Sequence, residues 1–215
     1  MAETNTEELA KEIEKLSICE KNRGTGAGGA NTYKNGLKFE EITNLKNSHI
    51  IMEDLKKTCM TNYKHYKSKS EIIKFPNSEK KFTYLTKQSF VRYMDKRNYS
   101  SDYYVNNPTS KMHGTIEPDT CYLNEIDKIL FWIEIKEQKI KGSVCEKLQT
   151  AETKKEHLKK RYPEFKIEYS FVISNILKDQ CDGELEYLKE KNIPVFFGND
   201  TDYKTKIINF IINYK

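Results

Sequence analysis

Two short motifs near the middle of the chain carry residue types that together could hydrolyse a phosphodiester: Glu117-Pro118-Asp119 and Glu134-Ile135-Lys136. The run from Lys128 to Gln138 is apolar with a period of two. This puts Ile129, Phe131, Ile133 and Ile135 on one face and Leu130, Trp132, Glu134, Lys136 and Gln138 on the other. The first face reads as core, and the second ends with an acid beside a base in a strand apolar enough to be buried. Buried charges need partners, and Glu134 and Lys136 can partner each other or Asp119 on the preceding strand. Asp119 and Glu134, with a backbone carbonyl such as that of Ile135, can hold a divalent metal, and Lys136 can orient or polarise an attacking water. Hard carboxylate oxygens favour Mg²⁺ over zinc or copper. Pro-Asp dipeptides and Glu-x-Lys triplets are common, and such a pair on a strand is most often solvated. What gives these weight is their order, their spacing by one hairpin, and the helix that follows at once.

The elements that must position these residues follow from periodicity. Gly114 to Leu123 and Lys128 to Gln138 are predicted strands joined by a turn at Asn124 to Asp127. Next come a helix over Ser143 to Arg161, a strand over Lys166 to Ser174, a helix over Gly183 to Asn192, a strand over Ile193 to Gly198 and a closing helix over Asp202 to Tyr214. Upstream, Leu9, Ile13 and Leu16 predict a helix over Thr6 to Leu16, and a second helix is expected to start after Asn35-Gly36 and run with interruptions toward Met60. Lys81 to Leu85 reads as a strand, and Thr86 as the cap of a helix bearing Phe90, Tyr93 and Met94. The whole predicts an α/β fold, a mixed sheet with helices on its faces.

Composition narrows the functional classes. At 215 residues the chain fits one domain, and its net charge of +5 permits an anionic partner without demanding one. Thr61 to Asn98 holds Lys64, Lys67, Lys69, Lys74, Lys80, Lys81, Lys87, Arg92, Lys96 and Arg97 against only Glu71, Glu79 and Asp95, with aromatics interleaved. This region, 61–110, is expected to form a basic DNA-contacting insertion. Cys19, Cys59, Cys121, Cys145 and Cys181 are odd in number and form no CxxC pair, which argues against a disulfide framework, against zinc and for a reducing compartment. No stretch suits a signal peptide or a membrane span, so a soluble, cytoplasmic protein is expected. His49, His65, His113 and His157 lack metal-ligand spacing, and Trp132 and Tyr122 read as packing residues. Lys154, Lys155, Lys159, Lys160 and Arg161 form a charged helix face, able to grip a phosphate backbone but more often simply solvated.

The glycines Gly24, Gly26 and Gly29 have dinucleotide-loop spacing, but a helix rather than a strand is predicted before them. Ala30 and Asn31 also stand where a phosphate-binding loop needs Lys and Ser or Thr. What remains is a flexible loop leading into a helix, or a linker.

Taken with their order, the EPD of Glu117–Asp119 and the EIK of Glu134–Lys136 resemble the motif of the PD-(D/E)XK nuclease superfamily, and the whole chain resembles a type II restriction endonuclease. The segment GAGGANTYKNGLKFEEIT is similar to a glycine-rich N-T-x-x-x-G-x-x-F-E pattern of such enzymes, and Glu40, four residues after Gly36, matches an acid on the family's first helix. KGSVCEKLQT resembles the opening of the helix after Glu-x-Lys, where polar side chains such as Lys147 and Gln149 face the site. The resemblance spans Gly24 to Thr43 and Glu117 to Thr150. It implies a restriction-endonuclease-like sheet and a Mg²⁺-dependent endonuclease of double-stranded DNA. Asp119, Glu134, Lys136 and Glu40 would be catalytic, and Asp119, Glu134 and Ile135 would bind the metal. DNA contacts are expected from Asn31, Thr32, Lys34, Lys64, Lys67, Arg92, Arg97, Lys147 and Gln149. A homodimer and a companion DNA methyltransferase would complete the system, with no membrane partner. Two alternatives stay open: a structure-selective repair or junction nuclease, and a catalytically silent DNA-binding protein on the same scaffold.

Overall fold

A computed structural model of the chain describes residues 32–55, 70–101, 117–138 and 144–214. The predicted helix over Thr6 to Leu16, the glycine loop, Asn31, Lys64, Lys67, His65 and His113 lie outside them. The described elements run α1 (Thr32–Thr43), a short 3-10 turn, β1 (Ile50–Asp54), β2 (Ser70–Lys74), β3 (Lys81–Leu85), α2 (Gln88–Lys96), β4 (Thr120–Asn124) and β5 (Ile129–Lys136). They continue with α3 (Val144–Gln149), α4 (Ala151–Arg161), β6 (Lys166–Ile173), α5 (Ile176–Gln180), α6 (Asp182–Glu190), β7 (Val195–Phe197) and α7 (Tyr203–Ile212).

All described strands join one seven-stranded sheet in sequential order. β1 to β5 form an antiparallel meander, and β6 and β7 add parallel strands beside β5 through helical crossovers. The sheet is therefore mixed, as the α/β reading expects. The β4–β5 turn is set by Asn124, whose Oδ1 accepts from the N–H groups of Ile126 and Asp127 at 3.1 and 3.0 Å.

The period-two pattern of β5 is resolved by covering both faces. Ile129, Phe131 and Ile133 pack under α1 and α7 with Phe39, Phe82, Val172, Ile207 and Ile211. Leu130 and Trp132 pack on the other side with Phe90, Leu148, Leu158, Tyr169 and Phe171, under α2 to α6. Each such aliphatic or aromatic side chain stabilises the fold by roughly 1.5–3 kcal/mol. Phe131 meets the rings of Phe82, Phe210 and Tyr214 edge-on, so truncation to Ala would cost about 3–5 kcal/mol.

Several expected boundaries move. α1 already contains Asn35 and Gly36 and stops at Thr43, and the stretch expected to stay helical toward Met60 contains β1 instead. All five β1 residues are exposed, because β1 is the edge of the described sheet and no described element covers either face, which removes any alternation to read. The region read as a basic insertion supplies β2, β3 and α2, with Ile73, Phe82, Tyr84 and Phe90 buried in the two cores. Thr86 does not cap α2. Lys87 holds that position, while the Ser89 hydroxyl accepts from the Thr86 N–H at 3.0 Å and donates to the Thr86 carbonyl at 2.7 Å. The helix expected over Ser143 to Arg161 is two, α3 and α4, meeting at Thr150.

The cysteine expectation is overturned. Cys145 at the start of α3 and Cys181 between α5 and α6 form a disulfide. Sequence spacing failed because the partners, 36 residues apart, meet only through the β6 crossover. This removes the inference to a reducing compartment, since such bonds persist mainly in oxidising ones. Cys121 is free and buried. Among the described residues no helix is long and apolar enough to cross a membrane.

Candidate active site

The end of β5 carries Glu134 and Lys136, and Asp119 lies just before β4, the strand paired with β5. β4 pairing ends at Thr120 opposite Ile133, so β5 runs on past it and Asp119 folds over the exposed register. There Asp119 Oδ2 accepts from the Ile135 N–H at 2.8 Å and from Lys136 Nζ at 3.1 Å. Lys136 Nζ also lies 2.6 Å from Glu134 Oε2. One ammonium thus sits between two carboxylates supplied by two strands. The N–H and C=O of a strand residue point to the same side, so the Ile135 carbonyl faces the Asp119 side as well.

Glu134 is buried, and its two oxygens are held differently. Oε2 takes Lys136, whereas Oε1 accepts from the Trp132 indole N–H at 3.1 Å and lies 3.6 Å from Lys154 Nζ on α4. Burial pushes the Glu134 carboxyl up, but the Lys136 and Lys154 cations, with bonds from Lys136 and Trp132, outweigh it and hold the group below the usual glutamate range. For Lys136, burial opposes the charge and the carboxylates Glu134 and Asp119 outweigh it, raising its pKa. Beneath them Tyr169, in register with Trp132 and stacked on it at 6.4 Å, has its hydroxyl pKa raised by burial and by Glu134 and Asp119.

Glu40 comes to the edge of this cluster through Lys87. The Lys87 ammonium lies 3.2 Å from Glu40 Oε2, and the Lys87 N–H donates to the Pro118 carbonyl at 2.9 Å, one residue before Asp119. Glu117 accepts from the Gln88 amide, and its pKa is raised by burial against the opposing pull of Lys87 and Arg92. α1 is set in place by the end of β7 and the start of α7, which pack against it on the same face of the sheet. A Cβ on Gly198 would come within 2.5 Å of Thr43 Cγ2 and 2.7 Å of Phe39 Cζ, and the Tyr203 hydroxyl donates to the Thr43 carbonyl at 2.6 Å.

Lys87 is unusual in its backbone. Its φ of 48° and ψ of −129° lie outside the left-handed helical basin, in a region glycine enters far more readily. Holding another residue there costs of order 1–3 kcal/mol. Its ion pair with Glu40 joins side chains 37% and 31% exposed, and such pairs return about 0–1 kcal/mol. The pair does not offset the backbone.

The other expected contacts are placed as follows. Thr32 and Lys34 lie on the first turn of α1. Arg92 acts on Glu117 beside the site. Arg97 does not reach it: its guanidinium donates to the Tyr93 hydroxyl at 3.1 Å, and Tyr93 donates to Glu125, at the opposite end of β4 from Asp119. Lys147 and Gln149 do not face the carboxylates. Both are exposed, because α3 turns Val144 and Leu148 inward, and Gln149 donates to Glu184 at 3.0 Å. The cation that does reach Glu134, Lys154, belonged to a charged helix face whose neighbours are ordinary surface pairs such as Lys159 with Glu156. Nothing in the sequence set it apart, because the break at Thr150 that puts it in the first turn of α4 appears only in the fold. His49 is buried among the rings of Phe75, Tyr84 and Tyr122, with its Nε2 4.0 Å from Glu71 Oε2.

The donor set fits a hard divalent cation. Asp119 and Glu134 both reach the point now held by the Lys136 ammonium, and they bring only oxygen atoms to it. The soft set elsewhere, Cys145, Cys181 and Glu184, is tied up by the disulfide. No family model matches the chain, and no curated protein and no solved structure matches it.

Proposed function

We propose that the protein is a Mg²⁺-dependent endonuclease that cuts double-stranded DNA at a short specific sequence, in the manner of a type II restriction enzyme. The observation that carries this reading is the convergence of Asp119, Glu134 and Lys136 at the open end of the β4–β5 pair. Asp119 and Glu134, with the Ile135 carbonyl, would hold the cation. Bound there, Mg²⁺ supplies charge neutralisation at the scissile phosphate and acidifies its water.

The chain's own groups do the rest. Lys136, kept charged by two carboxylates, is a hydrogen-bond donor and cation placed to orient water and a phosphate oxygen. Trp132 and Lys154 fix Glu134 from its other oxygen, so that Oε2 stays turned toward Asp119 and Lys136. Glu40, from α1, would support the metal or its water from the rim of the cluster, where it pairs with Lys87 in the DNA-free chain. A second copy of the chain would match the two equivalent bonds of a palindromic site, and a methyltransferase of the same specificity would protect the host's DNA.

Incubation of the purified protein with unmethylated phage DNA, in Mg²⁺ or EDTA and beside a Glu134→Ala variant, tests this. Discrete Mg²⁺-dependent fragments absent from the variant are expected. A smear would point to a structure-selective or nonspecific nuclease, and intact DNA with retained binding would leave a DNA-binding protein without turnover.

A further inference from the structure

Four described residues other than glycine have positive φ: Lys87, Asn98, Lys128 and Asn192. Asparagine tolerates this conformation. Lys128 has packing to show for it, since its ammonium lies over the rings of Tyr99 and Phe165 and pairs with Glu164. Among the described residues Lys87 has one ion pair, with the partly exposed Glu40, which returns less than its backbone costs. Its backbone duty, the N–H bond to Pro118, is one that glycine would perform unstrained. What glycine would lose is the ammonium.

That ammonium stands at the rim of the candidate site. Its main chain is tied to the residue before Asp119, and its charge, with that of Arg92, acts on Glu117 at the start of the same segment. A duplex that presents one phosphodiester to Asp119 and Glu134 brings the adjoining phosphates of the same strand to this rim. We infer that Lys87 is a phosphate ligand of the DNA backbone, parked on Glu40 until the polyanion takes its place. This rests on the nuclease reading above.

The test is duplex binding by the full chain in EDTA, where no cleavage interferes, followed by fluorescence anisotropy over a salt series. Each phosphate neutralised contributes about one unit to the slope of log affinity against log salt. Lys87→Gly and Lys87→Gln are each expected to lower that slope by about one unit and weaken binding, while Lys87→Arg retains it. Thermal unfolding is the second readout: Lys87→Gly should melt at or above the wild-type temperature, since it relaxes the backbone, and Lys87→Gln should not gain. An unchanged slope in Lys87→Gly while the wild type binds would overturn the inference and leave the nuclease reading standing. So would a Lys87→Gly variant that melts well below the wild type, because the backbone would then not be strained. A wild-type chain that binds no duplex overturns both.

Discussion

The indole N–H of Trp132 donates to Oε1 of Glu134 at 3.1 Å, and Trp132 is the chain's single tryptophan. The residue that would hold the metal is therefore wired to the chain's strongest fluorophore. Adding Mg²⁺ or Ca²⁺ without DNA is expected to change tryptophan emission saturably, and Asp119→Asn should abolish the change. Calorimetric binding without any change in emission would place the ion away from Glu134.

Gly198, which packs directly against α1, gives a handle on Glu40. A methyl group there meets Thr43 and Phe39 of α1 at distances that something must yield to. Gly198→Ala is expected to destabilise by about 1–3 kcal/mol and, by shifting α1, to reduce cleavage beyond what stability explains. Unchanged melting would show that α1 has room to move.

Alkaline pH should unfold the protein through its buried tyrosines. Tyr84 is pushed up to about 12 by burial, eased by bonds to Asn44 and Thr120 and reinforced by Glu71. In the unfolded chain it ionises near its ordinary value of 10.0. The stability tied to its protonated form is thus full below 10 and is lost as pH rises toward 12, on the order of 3 kcal/mol in all. Tyr84→Phe should show a shallower decline in unfolding free energy across that window. Parallel slopes for the two proteins would count against this account.

Reduction of Cys145–Cys181 reopens a loop with a sequence separation of 36, which on chain-entropy grounds destabilises by about 4 kcal/mol. Denaturant titration with and without reductant should show the loss, and Cys145→Ser should be insensitive to reductant. Equal midpoints for the wild type in both conditions would argue that the bond contributes nothing to stability in solution.

Local periodicity and order were legible in the sequence. The alternation of β5, the β4–β5 turn, the strand at Lys166–Ile173 and the closing helix follow from side-chain periods of two and 3.6, which depend only on neighbours in the chain. The placing of Asp119 and Glu134 across one hairpin is equally local, because a short turn fixes which strands pair.

The rest depended on tertiary structure. β1 is an exposed edge and β2 is short and charged, so neither carries a burial pattern that a sequence can display. Lys154 reaches Glu134, and Cys145 meets Cys181, only because the crossover to β6 folds α3 and α4 back over the sheet. Lys87 looked like one cation among ten, and only the chain's path past Pro118 gave it a strained backbone and a place at the site. Sequence by itself determined which strands exist and which charges end them, since those are short-range preferences. Which distant side chains complete the cluster was decided by packing two layers of helices on one sheet, where burial and chain connectivity act together.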